Sequence, residues 1–332
     1  MAQLVAHHTG SVGVRGSSPL SSTEKTLSDL IGEGFLLLGR RVRCAVWGFA
    51  VLNRPMSHGE TPAESRRGAV VVFVIVSFAV TWLIWLPILI TARTDGLGSM
   101  PWTFFLGSAG PACGAVAAAM WEGGTRGVRQ WARRTFAVNF RPIWWLVAIG
   151  MPVAYGVIAY VVSAIVTGEW PDLDQFGATE KLPGLAWPFV MAVWILTFGV
   201  GEEAGWRGWL LPTLSRRMSI FRAAAVVAVV WIAWHLPAFY FNPTYMEMGA
   251  GIVGWMLALF CGSYLLAWMA AGANWSIIPV LIWHAGFDLL TAADQSAGII
   301  ASTISAIVMV QGVLCAVYLW RRRRDAHRRR IA

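Results

Sequence analysis

The chain has 332 residues, 57% of them hydrophobic and only 13% charged, with 20 tryptophans. Soluble domains carry roughly 25% charged residues, so this composition excludes an ordinary soluble domain and indicates an integral membrane protein. The net charge of +9 would suggest a nucleic-acid partner in a soluble chain. Here the basic residues lie in short connections and a C-terminal run, with no nucleic-acid motif beside them, which assigns them to membrane orientation.

Residues 1–55 open MAQLVAHHTGSVGVRGSSPLSSTEK, rich in Ser and Gly. They lack the basic start, apolar stretch and small-residue cleavage site of a signal peptide. VRGSSPLSS resembles the conceptual translation of a transfer-RNA gene. The leader is therefore expected to be disordered or the product of a misplaced start, with Met56 as the alternative start. A weakly amphipathic stretch at 27–52 leaves an interfacial helix open. Residues 56–68 form a polar segment, expected in the cytoplasm.

A spanning helix needs about 20 mainly apolar residues. Such stretches occur at 69–92, 100–121, 143–166, 186–211, 222–241, 249–271, 273–292 and 298–320. They predict an all-α polytopic membrane bundle of about eight helices over 69–320, followed by a basic tail at 321–332. Arg66 and Arg67, then Arg126, Arg129, Arg133, Arg134 and Arg141, then Arg216, Arg217 and Arg222, and finally Arg321–Arg324 and Arg328–Arg330 fall in alternate connections. The other connections are poor in basic residues or acidic. An even number of spans, with both termini cytoplasmic in a multi-pass cell-membrane protein, fits every one. The short connection at 271–273 predicts a tight hairpin between the sixth and seventh spans. Membrane lipid is an expected partner, and the tail RRRRDAHRRR is suited to anionic headgroups.

Ionisable residues inside spans are rare, and they mark functional sites by default. Glu202 and Glu203 lie late in the fourth span, His235 near the middle of the fifth, and His284 and Asp288 in the seventh. Counting at 1.5 Å per residue from the cytoplasmic ends puts Glu202, His235 and His284 about 15–20 Å deep on three different helices. A shared polar cavity opening inward needs that arrangement. His284 and Asp288, four apart, share a helical face; Glu203 and Arg207 have the spacing and order of an ion pair. Glu202, about 100° round the helix from Glu203, is left to face the cavity. Attack on a peptide carbonyl needs an activated water and a donor for the developing oxyanion. Glu202 with His235 suits the first, and His284 with Asp288 the second.

These residues resemble a known family. Glu202-Glu203-x-x-x-Arg207, then Trp231-x-x-x-His235, then His284-x-x-x-Asp288 look like the three motifs of the CAAX prenyl protease 2 group, the CPBP or Abi-type, Rce1-like intramembrane proteases. The likeness covers about 186–292, taken as the catalytic core. Two positions depart from the pattern: Trp231 stands where Phe is frequent, and Asp288 where Asn is common. An ionised Asp has no proton to donate, so Asp288 is expected to orient His284. The resemblance implies catalytic roles for Glu202, His235, His284 and Asp288, supporting roles for Glu203 and Arg207, and cleavage of a peptide or protein substrate, with lipidated ones among the candidates, near the cytoplasmic face. It leaves cofactor use open between one divalent metal, with Glu202, His235 and His284 as a zinc ligand set, and none. A transporter using the same cavity and a non-catalytic immunity or scaffold protein are the alternative readings. Cys44, Cys113, Cys261 and Cys315 show no metal spacing, and His7, His8, His58 and His327 receive no role.

Overall fold

The computed structural model describes residues 63–97 and 99–331, so the readings for the 1–55 leader lie outside the described residues. Among the described residues eight longer helical stretches follow one another. They are α1 (Ala63–Thr94), α2 (Gly110–Thr135), α3 (Ile143–Thr167), α4, α5 (Ile220–Trp234), α6 (Gly251–Gly272), α7 (Ile278–Thr291) and α8 (Ile299–Ile331). α4 starts as Trp187–Trp194, widens into π turns over Ile195–Glu202 and Trp206–Leu210, and ends as Leu211–Ser215. Each expected span is thus helical, which gives the all-α membrane bundle. Among the described residues six helices are long and apolar enough to cross a membrane unaided. The exceptions are α4, divided by its π turns, and α7, whose 14 residues rise only about 21 Å.

Three local features depart from the sequence reading. The expected hairpin at 271–273 is a longer link, because Asn274 and Trp275 take left-handed φ of 56° and 65° and the Ile277 amide donates to Thr135 O at 2.9 Å. α7 consequently packs on α3 and α4 rather than chiefly on α6. The arginine-rich connection after the second span is helical: the chain breaks at Gly123 and Gly124, then resumes to Thr135 with Trp131 and Thr135 buried and Arg134 Nη2 donating to Gly208 O. Finally, α8 runs on through the basic tail to Ile331.

Close helix approach fixes α4 in place. A Cβ on Gly201 would lie 2.6 Å from Ser108 O, and one on Gly205 would collide with the Pro111 carbonyl. Small residues at such crossings let backbones touch where lipid supplies no hydrophobic drive for association. α1 is tied to the far end of α5 by indoles: Trp234 Nε1 donates to Thr81 Oγ1 at 2.8 Å and Trp82 Nε1 to Trp234 O at 3.0 Å. Those bonds hold the turn on which His235 sits.

Candidate active site

Each motif residue takes its place from its helix. Glu202 ends the first π turn of α4 and Glu203 begins the next short α segment. His235 closes α5 as its C-cap, before the 3-10 turn Leu236–Tyr240. That corrects its expected place in mid-span, since Pro237 in the following turn cannot continue the helix. His284 lies about two turns into α7, nearer its start than the count from Ala273 implied. Glu202, Glu203, Arg207, His235 and His284 are all buried, with Glu203 and Arg207 wholly so. Asp288 keeps 19% of its side chain exposed.

Glu203 is a hub. Its Oε1 accepts from Arg207 Nη1 at 2.8 Å and lies 2.8 Å from His284 Nδ1, within ion-pair distance. The expected Glu203–Arg207 pair is present, and it also holds the α7 histidine across the helix interface. His284 Nε2 then faces Asp288 Oδ2 at 3.6 Å, an orienting distance beyond hydrogen-bond length.

Glu202 is held separately, by Trp231. The indole Nε1 donates to Glu202 Oε2 at 2.6 Å. Arg207 Cζ lies 4.2 Å from the centre of the same ring, and the His284 ring stands edge-on at 5.6 Å. The Trp231 carbonyl bonds His235 Nδ1 at 2.8 Å. A carbonyl only accepts, so Nδ1 carries the proton and Nε2 of neutral His235 keeps its lone pair. Glu202, His235 and His284 are therefore neighbours through Trp231, with no hydrogen bond directly between them. A zinc ion needs its donors around one point. Among the described residues no three His, Cys, Asp or Glu side chains gather so. The ligand set left open by the sequence does not fit, and no step below uses a metal.

Two features of the surround carried no sequence signal. Phe239, Tyr245 and Trp255 build an aromatic wall around His235, whose ring lies 5.0 Å from that of Trp255 and 6.1 Å from that of Tyr245. Burial, then the charges of Glu202 and Asp288, push the Tyr245 phenol above its ordinary pKa, so it keeps its proton. On the other side, the segment after Leu173–Gln175 folds onto the end of α7. Glu180 N donates to Asp294 Oδ2 at 2.8 Å and Asp294 N to Ala178 O at 3.0 Å. Burial lowers the pKa of Lys181 in this segment, while Asp294 and Asp288 act to raise it.

Comparison with known proteins falls on the same stretch. Residues 184–290 match the family described as type II CAAX prenyl endopeptidase, Rce1-like. Over 122 residues the chain is 28% identical to a protein named CAAX prenyl protease 2 from Methanococcus maripaludis, an alignment covering 34% of this chain and 45% of that relative. The chain thus matches less than half of the relative's length. The resemblance read from the three motifs is borne out over the segment that contains them all.

Proposed function

We propose, proceeding from the match of residues 184–290 to the Rce1-like family, that this chain is an intramembrane endopeptidase using Glu202 as its base. The observation that supports the reading is that Trp231 bonds both Glu202, through its indole, and His235, through its backbone carbonyl. Water donates one hydrogen to Glu202 Oε1 and the other to His235 Nε2. Its oxygen attacks the carbonyl carbon; the new C–O bond forms as Glu202 takes a proton, and the carbonyl π pair moves onto oxygen. His284, paired through Nδ1 with Glu203 and doubly protonated, donates from Nε2 to that oxyanion, with Asp288 Oδ2 flanking the same nitrogen at 3.6 Å. Collapse breaks the C–N bond, and the proton on Glu202 passes to the leaving amine.

From Ser215 back to Glu202, and from Ile220 on to Trp231, the chain rises about 15–20 Å. Those starting points adjoin Arg216, Arg217 and Arg222, so with the arginines cytoplasmic the site is reached from the cytoplasmic side, and cleavage toward that face belongs to this proposal. The peptide or protein substrate class follows from the family; a lipidated substrate belongs to this proposal.

The test is a cleavage assay on purified protein with a fluorescence-quenched peptide bearing an S-farnesyl cysteine four residues from its C-terminus. Glu202→Ala and His235→Ala are each expected to lose at least about 100-fold in kcat, within the range of general-base contributions. Full activity in both variants would remove the reading.

A further inference from the structure

We propose that Trp231 is a positioning residue for the general base, its indole N–H fixing one oxygen of Glu202 so that the other is presented to water. The inference rests on the hydrolytic reading above and names a component that the motif pattern does not require, since the resembled family frequently has Phe at this place.

Three contacts carry it, and all belong to one residue that is itself only 6% exposed. The indole N–H donates to Glu202 Oε2 at 2.6 Å, a hydrogen bond to a carboxylate oxygen. A carboxylate's last torsion is broad and roughly two-fold, so without a partner Glu202 would sample many orientations. With Oε2 held, the plane of the group and the direction of Oε1 are set. The Arg207 guanidinium rests 4.2 Å from the centre of the ring. A cation over the π face draws density from the ring and strengthens its N–H as a donor. Arg207's own hydrogen bond goes to Glu203, so Arg207 acts on the indole through its face while the in-plane N–H meets Glu202. The backbone carbonyl of Trp231 fixes the tautomer of His235, and that bond is independent of the side chain. Phenylalanine would keep the carbonyl, much of the ring packing and a face for Arg207; it would lose only the donor to Glu202. The role is therefore separable from folding.

The test compares wild type, Trp231→Phe, Glu202→Gln and the double variant on the farnesylated quenched peptide. A second replacement places benzothienylalanine at 231, which exchanges the indole N–H for sulfur in the same shape and keeps the fold under test even if Phe leaves a void. Losing a hydrogen bond to a charged group corresponds to about a 10- to 100-fold effect. The expected result is that fall in kcat for both replacements, with KM within twofold of wild type. In the Glu202→Gln background the same replacements should change the residual rate by less than twofold, because the N–H acts through the carboxylate. An unchanged kcat in both replacements overturns the role while the hydrolytic reading stands. So does a raised KM at constant kcat, which would make Trp231 a wall of the substrate cleft. Should Glu202→Gln cleave as fast as wild type, the hydrolytic reading fails and the positioning role with it.

Discussion

His284 Nδ1 on α7 sits 2.8 Å from Glu203 Oε1 on α4, an ion-pair contact across an interface that leaves Glu203 fully buried. Because Arg207 donates to the same oxygen, Glu203 is the counter-charge for a buried guanidinium as well as the tether of the α7 histidine. Removing one partner of a buried pair leaves an uncompensated charge and costs about 3–5 kcal/mol. Glu203→Gln is expected to lower the thermal midpoint in detergent markedly and to reduce cleavage. A midpoint equal to that of wild type would show that Arg207 finds its compensation elsewhere.

Much of this architecture is legible in the sequence, and the exceptions have identifiable causes. Apolar stretches of spanning length mark the helices. The i,i+4 spacing of Glu203 with Arg207 and of His284 with Asp288 reads directly as shared faces. The arginine-rich segment ending at Thr135 reads as a loop because its charges dominate its composition, although Trp131 and Thr135 carry a buried face. The start of α7 is misread because the left-handed backbone of Asn274 and Trp275 leaves no mark in hydropathy. Cross-helix bonds are the hardest to foresee. Nothing local tells that Trp231 reaches Glu202, or that Glu203 reaches His284, until α4, α5 and α7 are packed together.

Packing of α4 supplies a second prediction. Gly205→Ala would drive a methyl into the Pro111 backbone carbonyl, whereas the same change at Gly254 on α6 meets nothing within 4 Å. Overpacking of this kind costs about 1–3 kcal/mol. Gly205→Ala should reduce both the midpoint and activity, and Gly254→Ala neither. Equal behaviour of the two variants would contradict the close α4 contact.

The segment over α7 gives a third. Asp294 accepts from the Glu180 amide and donates to the Ala178 carbonyl, so Asp294→Ala removes the side-chain half of that clasp. Faster limited proteolysis between 176 and 186, with the remainder of the chain as resistant as before, is the expected pattern. Unchanged cleavage there would mean that the buried Thr179 and its surroundings suffice to hold the segment.

Orientation is checked by labelling. With the native cysteines replaced by alanine, single cysteines at the exposed positions 174 and 217 should differ. A membrane-impermeant maleimide should reach Asp174→Cys on intact cells, and Arg217→Cys only after permeabilisation. The reverse pattern would invert the assignment drawn from the arginines and, with it, the side from which the site is approached.

Cleavage in water enriched in oxygen-18 tests the central claim most directly. Mass spectrometry of the farnesylated peptide's products, formed by wild type and by Glu202→Gln side by side, reads both the source of the new oxygen and the need for the base. The account predicts one heavy oxygen in the newly formed carboxylate with wild type, and a rate at least about 100-fold lower with Glu202→Gln. Equal rates for the two proteins, or products lacking the heavy oxygen, would contradict it.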